Sequence, residues 1–310
     1  MNLDEAAVSR LLRMEEVIPV MERALADFSS GRVVQPTRVM VPVAEHQGFL
    51  GLMPAYYGAG AALGVKLVAF YPQNRGIPTH HATILLFKPE TGEPLVNMDG
   101  RLITEVRTAA VSAVATKYLA RPDASVLAII GSGVQARSHL EALRLVGRFE
   151  DVRVWSPRHA EEFARHFDGV RATSSAEEAV RDADVVVTAT TSKTPVLFGE
   201  WLSPGVHINA VGGLAPWREL DDEALRRARI YVDSREAAFK ESGDVIAAGE
   251  AFAEVGEVVT GAKAGRQSAE EVTLFKSLGL AVEDVATADL VYGKAVNAAS
   301  SAEAAGDLRR

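Results

Sequence analysis

The stretch Ser125-Val126-Leu127-Ala128-Ile129-Ile130-Gly131-Ser132-Gly133-Val134-Gln135-Ala136 decides the fold. Its first half is a short apolar run rich in β-branched residues, the pattern of a strand covered on both faces. Two glycines then break the run, and a helical pattern opens at Val134. Gly131 permits the tight turn, Gly133 lets backbone approach a pyrophosphate, and the small Ala136 allows the helix to pack close to the strand. An anion then sits on the helix amino terminus. The context of strand, turn and helix predicts a dinucleotide site with Gly131, Ser132 and Gly133 at its centre.

Outward from this motif, the downstream chain alternates strand and helix: 125–130, 134–146, 152–155, 159–167, 176–181, 184–189, 206–211 and 230–233. That rhythm predicts parallel βαβ units with both sheet faces covered. A last helix is expected at roughly 278 to 301. Upstream, Leu11, Leu12, Val17, Ile18, Met21, Leu25 and Phe28 mark an opening helix or helical pair. Short strands follow at Val39 to Val43, Phe49 to Met53, Leu63 to Phe70, Thr83 to Phe87 and Pro94 to Met98, closely spaced as in an antiparallel sheet. An alanine-rich helix at 104 to 120 ends at Arg121-Pro122-Asp123, where a domain boundary is placed.

Composition narrows the function classes. The 310 residues are 48% hydrophobic and 24% charged, with a net charge of −8 and no cysteine. That balance is globular and argues against nucleic acid as the main partner. It removes disulfides, thiolate metal sites and a cysteine nucleophile, and suits a reducing cytoplasm. The longest uncharged stretches, Ala124 to Ala136 and Gly205 to Trp217, are too short for a bilayer span, so no membrane partner is expected. No basic n-region precedes an apolar run at the amino terminus, so no signal peptide is expected. His80-His81 lacks further ligands at metal spacing, so no metal is expected either.

The second strand of a dinucleotide domain sets cofactor preference, because an acid at its end binds the ribose 2′-hydroxyl. Here Val152-Arg153-Val154-Trp155 runs into Ser156-Pro157-Arg158-His159. A hydroxyl and a guanidinium suit a 2′-phosphate, which predicts NADPH, with NADH as the weaker alternative. Three cations stand at element edges upstream: Arg38, Lys66 and Arg107. Lys66 interrupts an apolar strand, so it needs an anionic partner or an open cleft. Their spacing does not show that they converge. The acidic clusters Glu219 to Glu223 and Glu270-Glu271 are read as solvated faces or helix-start charges.

The chain resembles the ornithine cyclodeaminase/mu-crystallin family over almost its entire length. The resemblance rests on Lys66-Leu67-Val68 with Phe70-Tyr71, His80, Ala82-Thr83, Met98-Asp99-Gly100, Arg107 to Ala113 and Gly133 to Ala136. It continues through Leu197 to Trp201, His207 to Gly212, Trp217 to Glu223, Lys240 to Asp244 and Phe275 to Gly279. It implies a Rossmann NAD(P)-binding domain at 122–277 and a discontinuous α/β substrate-binding and dimerisation domain at 1–121, completed by the carboxyl-terminal helix 278–310. It also implies a homodimer. By the same resemblance Arg38, Lys66 and Arg107, with His80, bind a substrate carboxylate, and Lys66, Arg107 and Arg38 carry catalysis. Thr83, Arg107, Ser132, Val134, Gln135, Ser156, Arg158, Thr190, Val211 and Ser277 lie along the cofactor.

Within the family, the chain resembles the mu-crystallin branch, and that resemblance implies NAD(P)H-dependent reduction of cyclic ketimine carboxylates. The family's cyclodeaminases and alanine dehydrogenases carry an Asp shortly after the Val-Gly-Gly segment. Here Gly212-Gly213 is followed by Leu214-Ala215-Pro216-Trp217, without a carboxylate. Deamination needs a base poised for the amine. The expectation is therefore a reductase of small cyclic imino acids. Amino-acid or N-alkyl amino-acid dehydrogenation, ornithine cyclodeamination and non-catalytic ligand binding are the alternatives.

Overall fold

The computed structural model describes residues 1–307. The chain divides into two compact units, one formed by Met1–Arg107 with the segment from Leu280 onward, the other by Thr108–Gly279. The division falls inside the helix Arg101–Leu119 rather than at the 121/122 break. The reason lies in its second half: Thr116 Oγ1 accepts from Asn209 Nδ2 at 2.9 Å, and the Leu119 carbonyl accepts from Thr273 Oγ1 at 3.0 Å. A helix bonded in this way to the strands of the second unit belongs with them, although its sequence break comes later.

In the first unit the opening helical pair is Glu5–Leu11 and Met14–Ser29. The sheet runs in the order Asn2–Leu3, Pro94–Asp99, His80–Phe87, Ala62–Phe70, Gly48–Tyr57, Val33–Val34, with Val39–Val43 also paired to Gly48–Tyr57. Its pairs are antiparallel apart from Asn2–Leu3 on Pro94–Asp99. The short strands Asn2–Leu3 and Val33–Val34 carry too few residues for a period-two signal. The final helix, Ala281–Asp307, packs on this sheet and on Met14–Ser29. Close approach needs a glycine: a Cβ at Gly64 would lie 2.7 Å from the Leu85 carbonyl and 3.2 Å from Val285. That helix begins three residues after the expected start and extends past 301; residues 308–310 of the expected span lie outside the described residues.

The second unit holds an eight-stranded sheet in the order Val170–Ala172, Asp151–Trp155, Val126–Ile130, Val185–Thr188, His207–Ala210, Val272–Lys276, Ala228–Val232, Ala253–Glu254. Every pair is parallel. Ala128, Ile130, Val186, Ile208 and Leu274 form the centre of its core. Each fully buried Ile, Leu or Val side chain contributes roughly 1.5–3 kcal/mol relative to exposure. The strand order reverses between Val126–Ile130 and Val185–Thr188, the switch point at which such sheets bind ligands outside their carboxyl ends.

Candidate active site

The first unit gathers the cations. The alternating burial of Ala62–Phe70 turns Lys66 to the covered face with Gly64 and Val68, and Lys66 is only 2% exposed. There its ammonium meets the carboxylate of Asp284, with Nζ 2.6 Å from Oδ2. Arg107 donates from Nε to Asp284 Oδ1 at 2.9 Å and from Nη1 to Glu283 Oε2 at 2.6 Å. Both acids are wholly buried in the first turn of the final helix, where the helix dipole favours negative charge. Arg38 is close enough to act on Lys66 electrostatically. The structure therefore brings Lys66 and Arg107 together, with Arg38 within electrostatic reach of Lys66, and sequence reasoning missed the two carboxylates that organise the pair. An acidic pair inside Leu280-Ala281-Val282-Glu283-Asp284-Val285-Ala286 was the available signal.

These contacts set the protonation states. Burial pushes the Lys66 ammonium down to about 8, with Arg107 and Arg38 acting in the same direction and Asp284 opposing them. Burial alone would raise the Asp284 carboxyl, but Arg107 and Lys66 hold it below the usual range. His80, at the start of its strand and half-buried, is pushed down to about 4 by burial and then by Lys66. It stands neutral beside the cations at physiological pH. Thr83 lies three residues further along the same strand and donates to Asn97 Oδ1 at 2.6 Å. Thr83 and Arg107 belong to the first unit, apart from the other residues expected along the cofactor.

The second unit gathers those others at the carboxyl ends of its strands. A groove of about 390 Å³ is lined by Gly131, Ser132, Gly133, Ser156, Arg158 and Thr190, among others. Gly131 has φ +123°, and a Cβ there would lie 2.4 Å from the Ala189 carbonyl, so only glycine fits. At Gly133 a Cβ would meet nothing within 4 Å, which leaves open space over the start of the helix Val134–Val146. The buried Oε1 of Gln135, at that helix start, has no hydrogen-bond partner among the described residues. An open backbone, a free helix end and an unsatisfied amide fit a pyrophosphate and its ribose. Arg158 is exposed and forms no ion pair among the described residues, while Ser156 Oγ accepts from His159 N at 3.1 Å.

Val211 and Ser277 stand just beyond the ends of their strands, with backbone N–H groups bonded to the Thr188 and Ala210 carbonyls at 2.9 and 3.0 Å. Glu219 corrects the expectation of a solvated acidic face: it is wholly buried and bonded to the loops at Thr190 and Gly212. Within the same cluster Asp221 caps the helix Asp222–Arg227 through Ala224 N at 2.8 Å. Among the described residues no group of His, Asp or Glu is placed to hold a metal ion. No helix there is long and apolar enough to cross a membrane.

A larger concavity of about 730 Å³ lies at the amino ends of Ala228–Val232 and Val272–Lys276. Its Arg229 is already paired with Glu271 at 2.7 Å and sits 4.6 Å from the centroid of the Phe252 ring. Its place at the opposite strand ends is not where open α/β sheets bind cofactors.

The sequence profile of the ornithine cyclodeaminase/mu-crystallin family matches residues 1–299. Ketimine reductase mu-crystallin of Rattus norvegicus is 54% identical over 285 residues, covering 89% of this chain and 91% of its own. The Δ1-pyrroline-2-carboxylate reductase of Thermococcus litoralis, solved in complex with NADH and L-proline, is 41% identical with a TM-score of 0.93, covering 96% of this chain and 98% of that one. An archaeal alanine dehydrogenase dimer with bound NAD is 38% identical with a TM-score of 0.91, covering 96% of each chain.

Proposed function

Since this chain belongs to the ornithine cyclodeaminase/mu-crystallin family, we propose that it is a reductase of cyclic ketimine carboxylates, such as Δ1-piperideine-2-carboxylate and Δ1-pyrroline-2-carboxylate. The products are cyclic L-amino acids. The observation that carries the substrate class is the buried cluster of Lys66 and Arg107 on Asp284 and Glu283.

A substrate carboxylate entering beside this cluster meets the positive charge of Arg38, Lys66 and Arg107, with Arg107 held in place by Asp284 and Glu283. The same cations would repel a protonated imine. Asp284 and Glu283 offset them, so the site accepts a molecule that carries one negative and one positive charge. An imine nitrogen protonated before binding needs no protein acid, and Lys66 keeps its proton at Nζ as part of the clamp. NADPH, when bound, supplies the hydride that adds to the imine carbon. The chain's own contribution is to hold the carboxylate, and through it the ring, in a fixed orientation, which is worth several kcal/mol of the barrier.

Amino-acid oxidation, the activity named for the archaeal relative, needs a base poised for the amine. In the second unit Glu219 and Asp244, two wholly buried acids close to Leu214-Ala215-Pro216-Trp217, are bonded to backbone amides. In the first unit Asp284 is ion-paired with Lys66 at 2.6 Å and with Arg107 at 2.9 Å.

The preference for NADPH rests on Ser156 and on Arg158, which has no carboxylate beside it. A homodimer is supported by an exposed apolar row on one face of adjacent strands of the first unit: Val39, Val41, Leu50 and Tyr56. The cytoplasm is the compartment that the cysteine-free composition suits. The test is reduction of Δ1-piperideine-2-carboxylate with NADPH and with NADH in parallel: turnover without ammonia release is expected, and ammonia release from an amino acid with no imine reduction would overturn the reading.

A further inference from the structure

Behind the carboxyl ends of the parallel strands lie three charged side chains, Glu219, Asp244 and Lys276, each 0% exposed. Buried charges of this kind are tolerated only when their hydrogen-bonding capacity is filled. Here it is filled by the loops of the groove's far rim. Glu219 Oε1 accepts from Thr190 N at 2.8 Å and from Thr190 Oγ1 at 2.6 Å. Its Oε2 accepts from Gly212 N at 2.8 Å and from Thr188 Oγ1 at 2.9 Å. Lys276 donates to the Gly212 carbonyl and to Asp244 Oδ2, the latter at 2.8 Å. Asp244 Oδ1 in turn accepts from the backbone N–H groups of Glu219 and Leu220, both at 3.1 Å.

One unit thus clamps Gly212 from both its N–H and its carbonyl, and ties the loop at Thr190 to the loop at Val211–Gly213 and to the strand that ends at Lys276, just before Ser277. The packing leaves no slack. A Cβ at Gly212 would lie 2.5 Å from the Thr190 carbonyl, and one at Gly213 would lie 2.8 Å from Asp244 Oδ2. In a doubly wound sheet the adenosine ribose sits at the end of the second strand, here at Ser156 and Arg158, so the nicotinamide half extends past the switch point toward Thr190 and Val211.

We propose that the buried Glu219–Lys276–Asp244 unit is a positioning device for the nicotinamide half of the cofactor. It fixes the rim formed by Thr190, Val211 and Ser277 and touches no reactant itself. This rests on reading the groove as the NADPH site. Loss of the device loosens the nicotinamide end and leaves the adenosine end, held from Ser132, Ser156 and Arg158, unchanged. Such a split separates it from a network that only holds the fold together.

The experiment compares the full chain with Glu219→Gln and with Thr188→Val, a near-isosteric change that removes one donor from Glu219. Fluorescence of bound NADPH reports confinement of the reduced nicotinamide, and adenosine 2′,5′-bisphosphate reports the adenosine end. In Glu219→Gln the emission gain on binding is expected to fall about twofold or more and single-turnover hydride transfer to slow about tenfold or more, with bisphosphate affinity within about twofold of wild type. Thr188→Val is expected to shift emission and rate in the same direction by less, and it decides the matter alone if Glu219→Gln does not fold. Wild-type emission and rate in the folded variants, or equal loss of NADPH and bisphosphate affinity, would overturn the proposal. A wild-type chain that fails to bind NADPH overturns the cofactor reading first. One that binds NADPH but does not reduce the imine overturns the substrate reading and leaves the emission test standing.

Discussion

The ammonium of Lys66 stands 2.6 Å from the carboxylate of Asp284, and both side chains are buried. The pair joins a central strand of the first sheet to the first turn of the final helix, and Arg107 closes it from a third element at 2.9 Å. Its charge pattern, cations backed by buried acids, is what a zwitterionic imino acid requires.

The pair makes substrate binding depend on pH in a stated direction. Lys66 titrates at about 8, and its charged form is the one that holds a carboxylate. Of its neighbours, His80 titrates near 4 and Asp284 is held below the usual carboxylate range, so both lie far to the acid side. Affinity for pyrrole-2-carboxylate, a planar analogue without an imine, is expected to be flat from pH 6 to about pH 8 and to fall toward about tenfold per unit above it. In Lys66→Met the affinity is expected to be weaker throughout and the alkaline fall to vanish. A Lys66→Met chain with wild-type kcat and KM would exclude the clamp.

Asp284→Asn leaves Lys66 and Arg107 without their shared partner. Breaking a buried pair of this kind costs about 3–5 kcal/mol. The same change removes the neighbour that raises Lys66, so the alkaline break in analogue binding is expected to move below pH 8. Denaturant unfolding and the repeated titration check both. A break that moved upward would contradict the assignment of the pair.

Arg158→Ala addresses the cofactor. A charge-assisted bond from guanidinium to the 2′-phosphate is worth about 1.5–3 kcal/mol, so NADPH affinity is expected to fall roughly tenfold or more. NADH affinity is expected to stay near wild type. Equal losses for the two would mean that Arg158 does not read the 2′-phosphate.

Gly131→Ala tests the turn. Its φ of +123° and the Ala189 carbonyl, 2.4 Å from any Cβ, leave no room for the methyl group. Loss of nucleotide binding is expected, together with destabilisation of about 1–3 kcal/mol. Calorimetric titration with NADPH measures the first and thermal unfolding the second.

Much of this was legible in the chain because it rests on local pattern. The run Val126–Ile130 with Gly131 and Gly133 announced the strand, turn and helix of the parallel sheet. What stayed hidden depends on contacts between distant segments. Asp284 and Glu283 sit in a helix whose apolar spacing reads as simple packing, and only the fold sets them on Lys66 and Arg107. Glu219 lies in an acidic stretch whose composition reads as surface, yet its four bonds run to residues 188, 190 and 212. The boundary at Arg107 was hidden for the same reason: the helix Arg101–Leu119 shows no break where its allegiance changes.

The most direct test of the central claim is steady-state reduction of Δ1-piperideine-2-carboxylate by NADPH, with wild type and Arg107→Ala side by side and the product identified. The account predicts NADPH oxidation matched by formation of the cyclic L-amino acid, with kcat/KM reduced about a hundredfold or more in the variant, since Arg107 both clamps the carboxylate and orients the ring. Binding of NADPH and the imino acid without turnover, or turnover untouched by Arg107→Ala, would contradict it.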